Sequence, residues 1–324
     1  MLKGVTSDFA WFAARRIAGA VAVLLVVSFL IFSCLYIAPG SPEQAIIGPN
    51  QATPEALEEV RIQYHLNEPF FDQYWRFLKG LATLNFGRSF QTGQEVNAGI
   101  TERLGVTIPL GLGGFLVASL FGIGGGILAA RKRGKPVDRG LVGSSIVAAS
   151  APAYATGFLL LYLFGVLLAW LPVSGAGNGI GDRATHLILP VITLGLVGAA
   201  PILRITRVAM TQALERDDVA FARARGVSAT TILFRYSLRH ALVMIATVCG
   251  IVLIYMLVAT AVVETTFSLN GVGSYLITSI TKKDLPAVQG VAMVATFIVV
   301  VINLGLDLLY AVIDPRIQHG YAAT

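Results

Sequence analysis

Charged residues are scarce in this sequence. Only 13% of its 324 residues are Asp, Glu, Lys or Arg, whereas 55% are hydrophobic and the mean hydropathy is +0.73. A soluble globular chain has about 25% charged residues, which it needs to cover its surface. The scarcity of charge therefore excludes a soluble enzyme, a disordered regulator and a disulfide-stapled secreted domain. It indicates an integral membrane protein.

Residues that bind metals or nucleotides are also few. Cys34 and Cys249 lie in apolar runs without a second ligand at metal spacing, and the four histidines are isolated, which predicts no zinc site. A P-loop requires G-x-x-x-x-G-K-[ST]. Its nearest approach here has Ala129 in the position of the first glycine and Pro136 after the lysine. We therefore expect the chain not to bind ATP through a P-loop, so that any energy for work comes from elsewhere.

Six apolar stretches without charged residues are long enough to cross a membrane, which takes about 20 residues. They cover residues 17–38, 104–130, 140–171, 184–203, 241–263 and 285–306. They predict an all-α fold of six transmembrane helices. The expected organisation is an N-terminus with the first transmembrane helix (1–38), an extracytoplasmic segment (39–103), a five-helix core (104–313) and a cytoplasmic tail (314–324).

Basic residues cluster between alternate stretches. With the N-terminus in the cytoplasm, the cytoplasmic segments hold two thirds of the 24 Lys and Arg residues. Short loops rich in Lys and Arg remain in the cytoplasm. We therefore expect both termini in the cytoplasm, and we interpret the net charge of +6 as a sign of topology rather than of nucleic-acid binding.

The segment 39–103 is too long for a turn and is expected to contain two short helices. Thr-Pro-Glu at 53–55 combines an N-cap residue with proline at the first helical position, which predicts a helix to about His65. A second helix, rich in aromatic residues, is predicted from Glu68 to about Leu81. We expect the segment to lie against the outer membrane surface or against a partner.

The other long connection, 204–240, is basic and is predicted to form two short helices that meet at a glycine. The first helix should end before Gly226, since glycine readily takes the left-handed backbone at the position after a helix. Ser228 should cap the next helix. Two such helices would form a compact projection, which we call the knob (residues 204–240), and a cytoplasmic partner could bind it. An ordinary basic loop on the inner leaflet fits the same pattern.

Charged residues at the ends of the predicted spans are candidates for function, because charge inside a membrane is costly. Arg204 and Arg207 end the fourth span and Asp307 follows the last, so an ion pair between them is geometrically feasible. We favour a pair that fixes helix packing over a contact with substrate.

A further charged residue, Glu264, lies at the outer end of the fifth span. It is followed by a stretch with several glycines that includes Asn270 and Gly271. We interpret these three residues as a candidate outer gate, with a helix cap as the alternative for Glu264.

Glycines are frequent in the second span, where Gly122 and Gly126 have the four-residue spacing typical of closely packed helices. No strand precedes them, which disfavours a dinucleotide site. Gly-Ile-Gly-Asp at 179–182 matches the G-x-G-D string of intramembrane aspartyl proteases. No second aspartate lies in the middle of a span to pair with Asp182, so we disfavour a protease.

The connection around Gly226 resembles a known family. The string DDVAFARARGVSATTILFRYSLRHAL is similar to the EAA loop of permease subunits of binding-protein-dependent ABC importers, in the version of dipeptide and oligopeptide permeases of the B type. The outer segment has IAPGSPEQ, IIGPNQATPE, FGRSFQTGQEV and ITERLGVTI in the order of that group, and VVETTFSLNGVGSYL, DLPAVQGV and NLGLDLLYAVIDPRI resemble its closing motifs. The resemblance covers essentially the whole chain. Ala220, Phe221 and His240 depart from the usual loop residues.

The resemblance implies a type I ABC importer permease fold whose loop is a coupling helix seated in a cleft of a separate ATPase subunit. The coupling residues would be Asp218, Ala222, Gly226, Val227 and Ser228. The implied partners are a second homologous permease subunit, two ABC ATPase subunits or domains that use ATP and Mg, an extracytoplasmic substrate-binding protein, a peptide and the lipid bilayer. The chain itself would bind no cofactor and no nucleic acid.

The implied function is half of a translocation pathway for di- and oligopeptides, working by alternating access in a bacterial cell membrane, without enzymatic activity in this chain. Relatives for nickel or glutathione leave those substrates as alternatives. A self-sufficient secondary transporter or channel is a further alternative. Such transporters are often built from inverted repeats around a midplane ion site, and neither feature is evident in the sequence.

Overall fold

The computed structural model describes residues 2–37, 53–63 and 66–313, and these are helical along most of their length. We number the helices in chain order: α1 (Leu2–Ile37), α2 (Pro54–Gln63), α3 (Phe70–Ala82), α4 (Val96–Arg131), α5 (Pro136–Ser150), α6 (Ala153–Leu167), α7 (Gly179–Leu214), α8 (Asp217–Ala224), α9 (Ala229–Thr266), α10 (Val272–Thr281) and α11 (Leu285–Ile313). In the described ranges the only β pairing is an isolated bridge between Arg88 and Glu95.

The predicted all-α class is confirmed, and the two predicted helices of the outer segment correspond to α2 and α3. The predicted tail, 314–324, and the start of the outer segment lie outside the described residues.

Among the residues that the structure describes, five helices are long and apolar enough to cross a membrane, or six if one bent pair counts as a span. The bent pair is α5 and α6, which meet at 103° within the predicted third span, 140–171. That span is therefore not a single helix. Pro152 explains the break, because a residue before proline is disfavoured in the helical region, and Ala151 is extended (φ −86°, ψ 127°).

Residues 106–270, together with residues 305–313, form one compact unit. Its central helix is α7, whose apolar window is 56% buried, more than that of any other candidate span. Apolar side chains from α4, α7, α9 and the residues just after α9 form its main core, which includes Leu110, Leu194, Ile202, Met256 and Phe267. The burial of α7 explains why its sequence carries so few charges before its last three turns.

The glycines of α4 pack against α7. A Cβ atom added to Gly122 would lie 2.6 Å from Cβ of Ile202, and one added to Gly126 would lie 2.5 Å from Cβ of Thr206. No side chain fits at such distances, so the two helices approach this closely only because both positions lack one. The predicted role of Gly122 and Gly126 in helix packing is confirmed.

The described residues up to 105 and residues 271–304 form the other compact unit. Its core joins Val96 and Ile100 of α4 to Ala287 and Val291 of α11. The contacts thus group the described part of the outer segment with α10 and most of α11, whereas the sequence-based division treated 39–103 as separate.

A buried aspartate joins two of the sequence motifs in this unit. Asp284, just before α11, is 3% exposed. Its carboxylate accepts hydrogen bonds from the Ser89 hydroxyl and from the Phe90 N–H group, the latter at 3.0 Å. FGRSFQTGQEV and DLPAVQGV, far apart in sequence, therefore lie against each other.

Candidate coupling site

The connection between α7 and α9 forms a compact elbow. Helix α8 ends at Ala224, and Gly226 follows with φ +77°. The Gly226 N–H group donates to the Arg223 carbonyl at 3.0 Å, and the Val227 N–H group donates to the Ala222 carbonyl at 3.2 Å. This pair of bonds is a Schellman motif, which satisfies carbonyls that the helix end would otherwise leave open. The predicted left-handed glycine at this helix end is confirmed.

The next helix begins at a serine cap. The Ser228 Oγ atom accepts a hydrogen bond from the Thr231 N–H group at 3.3 Å, and α9 starts at Ala229. An oxygen at this position satisfies one of the donors that a helix start leaves unpaired. The predicted N-cap is confirmed, and the two ends together fix the angle between α8 and α9.

The inner face of α8 is apolar. Val219 is completely buried and Ala222 is 4% exposed, and both pack with Ile232 in the first turns of α9. Val227 and Tyr236 lie at the edge of this cluster. Two of the predicted coupling residues, Ala222 and Val227, therefore pack inside the knob or at the edge of its core, and their coupling role stays a prediction.

Hydrogen bonds among Asp218, His240 and Arg216 link α8 to the residues before and after it. The Asp218 carboxylate accepts hydrogen bonds from Nε2–H of His240 at 2.9 Å and from Nε–H of Arg216 at 3.0 Å. The hydrogen bond from His240, followed by that from Arg216, lowers the pKa of Asp218 below its ordinary value. A carboxylate with a lowered pKa stabilises the fold above its unfolded pKa, and this contribution is lost as the pH falls through the folded value. The Asp218 carboxylate is therefore ionised at neutral pH and accepts both hydrogen bonds.

The outer face of α8 carries a residue that sequence analysis did not single out as a contact. Phe221 is 67% exposed, and the Arg225 guanidinium lies 5.8 Å from its ring centroid. Val219 and Ala222 share one face of the helix by their spacing of three, which leaves the aromatic ring on another. The spacing of Val219 and Ala222 could have predicted the exposure of Phe221, because a side chain that is not on the buried face of a short helix faces outward.

The predicted ion pair involves a different acid. Arg207 contacts Asp138 of α5 rather than Asp307: its Nε and Nη2 groups donate to the two carboxylate oxygens at 2.5 and 2.8 Å. Asp138 is 3% exposed and also accepts the Gly134 N–H group at 2.9 Å. Arg204 is exposed. The acid was overlooked because it lies in the first turn of α5, 69 residues from its partner.

The candidate gate residues occupy different environments. Glu264 is completely buried, and its Oε1 atom accepts a hydrogen bond from the Thr107 hydroxyl at 2.7 Å. Asn270 is exposed, and Gly271 caps α10 with its N–H group donating to Ser274 Oγ at 3.0 Å. A side chain packed between α4 and α9 does not line an open passage in this conformation. The gate role of these residues stays a prediction.

The sequence matches two protein-family models along most of its length. Residues 122–319 match the family described as binding-protein-dependent transport system inner membrane component. Residues 9–111 match the family described as the N-terminal part of the membrane component of such systems. The first match alone covers more than half of the chain.

Individual relatives extend over nearly the whole chain. A probable peptide ABC transporter permease protein, y4tP, of Sinorhizobium fredii is 36% identical over 94% of this chain and 98% of the relative. The di/tripeptide transport system permease protein DppB of Pseudomonas aeruginosa is 34% identical over 95% of this chain and 98% of its own. The glutathione transport system permease protein GsiC of Escherichia coli is 34% identical over 94% of this chain and 98% of its own.

The fold resembles that of a solved transporter. A chain of the MetNI methionine ABC transporter in an inward-facing conformation aligns with a TM-score of 0.56 at 15% identity, covering 66% of this chain and 95% of that one. Identity this low supports the fold alone. The matched families and the relatives that span almost the full sequence show that this multi-pass membrane protein belongs to the binding-protein-dependent transport system inner membrane component family.

Proposed function

We propose that the chain forms half of the translocation pathway of an ATP-driven importer of short peptides. It would pair with a second, homologous permease subunit, receive cargo from an extracytoplasmic binding protein and be driven by two ATPase subunits or domains that hold ATP and Mg. The observation that carries the proposal is the α8 knob. Its apolar inner face packs on α9, the Gly226 turn and the Ser228 cap join the two helices, and its outer face carries an exposed aromatic ring.

The knob is placed to act on two spans at once. Helix α8 follows α7 after two residues and packs on the first turns of α9 through Val219 and Ile232. Glu215, just after α7, also forms an ion pair with Arg133 in the turn that follows α4. A force on α8 would therefore reach both α7 and α9, which is what alternating access requires of a coupling element.

The substrate class follows from the relatives named for peptides, di/tripeptides and glutathione, which share the peptide bond. The test is to purify the tagged chain in mild detergent, identify what co-purifies, and reconstitute the complex with its binding protein. We expect ATP-dependent uptake of a radiolabelled dipeptide. Uptake of nickel but of neither the dipeptide nor glutathione would overturn the peptide assignment, and uptake of glutathione alone would restrict the cargo to that tripeptide. Uptake by the chain alone, without ATPase subunits, would overturn the importer-subunit assignment in favour of a self-sufficient transporter.

We place the chain in the bacterial inner membrane with both termini in the cytoplasm. This orientation is testable in a chain whose Cys34 and Cys249 are replaced by serine. A membrane-impermeant maleimide added to intact spheroplasts should label Gln94→Cys in the outer segment. It should label Ala224→Cys, on the knob, only after permeabilisation. The reverse pattern would contradict the orientation.

Gly226→Val is expected to reduce ATP-dependent uptake at least ten-fold while the chain still inserts into the membrane. A Cβ at this position would meet no atom within 4 Å, so the cost comes from the left-handed backbone alone, about 1–2 kcal/mol. The chain can relieve this strain by changing the angle at the elbow, which moves α8 on α9. Uptake of labelled peptide in proteoliposomes measures the effect.

Two controls separate backbone strain from other causes. Gly226→Asn should retain most uptake, because asparagine tolerates the left-handed conformation. Gly93→Val imposes similar strain (φ +68°, open space) in a turn of the outer segment and should leave ATPase coupling unchanged. Normal uptake by Gly226→Val would contradict the elbow argument.

Phe221→Ala is expected to lower substrate-stimulated ATP hydrolysis about ten-fold or more without changing the thermal stability of the chain. The ring is exposed and contributes little to the fold, whereas truncating a central aromatic anchor typically costs an interface 2 kcal/mol or more. ATPase assays of the reconstituted complex measure the change. Phe158→Ala, the same truncation at a 55% exposed position on α6, serves as the control. Equal coupling in the two variants would refute a docking role for Phe221.

A further inference from the structure

Helix α3 packs against the span of α1, Ala13–Cys34, near the end where that span stops. The ring centroid of Phe32 lies 5.3–5.5 Å from those of Phe70, Tyr74 and Phe77. The Tyr74 hydroxyl donates to the Leu25 carbonyl of α1 at 3.3 Å. Helix α3 is therefore held beside residues 25–32 of α1.

The contacts set the depth of α3. At 1.5 Å per residue, the 22-residue span is about 33 Å long, close to the thickness of about 30 Å of a hydrocarbon core. On the same scale Phe32 and Leu25 lie about 3 and 14 Å from its end at Cys34. The rings of α3 contact Phe29 and Phe32, which lie within about 8 Å of that end, so α3 is at the level of the headgroups and upper acyl chains. Only the Tyr74 hydroxyl extends deeper, to Leu25.

The surface of α3 that faces away from α1 is divided into two rows. Phe71 and Trp75 are 74% and 58% exposed, although both are large apolar residues. Because an α-helix has 3.6 residues per turn, residues spaced by four and then three positions lie in one row along its surface. The apolar row is Phe71, Trp75 and Leu78, and the charged row, about 100° further round, is Asp72, Arg76 and Lys79.

We propose that α3 is an interfacial helix whose apolar row is covered by phospholipid of the leaflet in which α1 ends. Phe29, 40% exposed on the span of α1, contacts the rings of Phe70 and Tyr74 at 5.8 and 5.4 Å. The lipid-facing surface of α1 therefore continues onto α3. A helix with one apolar and one charged face lies in the interface plane, with the charged face towards water.

The cation on the charged row supports this placement. The Lys79 ammonium lies over the Trp75 ring, 5.5 Å from its centroid, so a cation–π contact holds the charge beside the tryptophan. Tryptophan is enriched at this level of a bilayer, and lysine extends its charge towards the headgroups. The inference requires only that α1 spans a membrane, and it is independent of the transported substrate.

Trp75 provides the probe. Trp11→Phe and Trp170→Phe leave it as the single tryptophan of the three in the chain. The full-length chain is then reconstituted in phosphatidylcholine vesicles brominated at the 6,7 or the 11,12 position of the acyl chain. We expect at least two-fold quenching of Trp75 by the shallow bromines, weaker quenching by the deep bromines, and protection from acrylamide.

A matched control carries tryptophan at Gln94, an exposed position in the turn of the same unit, with Trp75 also replaced by phenylalanine. It should be quenched by acrylamide and not by brominated lipid. Trp75 behaving like this control would overturn the proposal. Protection of Trp75 from both quenchers would also overturn it, because the row would then be covered by protein. If the double variant does not accumulate, Trp75→Phe in the otherwise native chain should lose a measurable part of the emission that shallow bromines quench, and an unchanged quenched emission would overturn the proposal.

Discussion

Replacing Gly126 with valine is expected to prevent the folded chain from accumulating in the membrane. A Cβ atom there would lie 2.5 Å from Cβ of Thr206 and 2.8 Å from the Leu203 carbonyl oxygen, so a backbone atom would have to move. Overpacking a tight core typically costs about 1–3 kcal/mol, and a clash with backbone at a helix crossing lies at the upper end or beyond. Fluorescence-detected size-exclusion chromatography of a tagged chain measures the folded fraction.

The same helix supplies a matched control for this substitution. Gly124 lies two residues before Gly126, and a Cβ added there meets no atom within 4 Å. Gly124→Val introduces the same side chain into the same span without a clash, so we expect near-normal accumulation. If both variants accumulate equally, the close approach of α4 and α7 does not depend on Gly126.

Removing the Arg207 side chain is expected to lower the melting temperature of the detergent-solubilised chain by roughly 6–20 °C. The Asp138 carboxylate is 3% exposed, and in Arg207→Ala it would keep only the Gly134 N–H group of the partners described above. Leaving one member of a buried ion pair without its partner costs about 3–5 kcal/mol. A thermal unfolding curve followed by thiol-reactive dye or light scattering measures the shift.

Two variants test the cause of this effect. Arg204→Ala removes an exposed arginine one turn earlier on α7 and should leave the melting temperature nearly unchanged. Adding Asp138→Asn to Arg207→Ala removes the uncompensated charge and should restore a large part of the lost stability. A double variant no more stable than Arg207→Ala would argue that the arginine stabilises through packing and not through its charge.

Local features of this protein were determined by the sequence itself. The left-handed Gly226, the Ser228 cap and the start of α2 at Pro54 each depend on hydrogen bonds or dihedral preferences within a few residues. Five of the six apolar runs correspond to continuous spanning helices, because the hydrocarbon core requires a length of apolar residues that is visible in the sequence. The packing role of Gly122 and Gly126 was also predictable, because it depends on a four-residue spacing within one helix.

Only the tertiary structure decided which distant residues meet. Arg207 has Asp138 as its partner, and Asp284 accepts hydrogen bonds from a loop 194 residues away, because helix packing sets these pairings. The break at Ser150–Ala153 was hidden by an apolar run that continues through Pro152, since hydropathy does not register a change of direction. The division of α8 into a buried face and an exposed Phe221 likewise required knowing that α9 lies against it. Hydropathy and capping act over neighbouring residues, whereas these features depend on free energies shared between elements far apart in the chain.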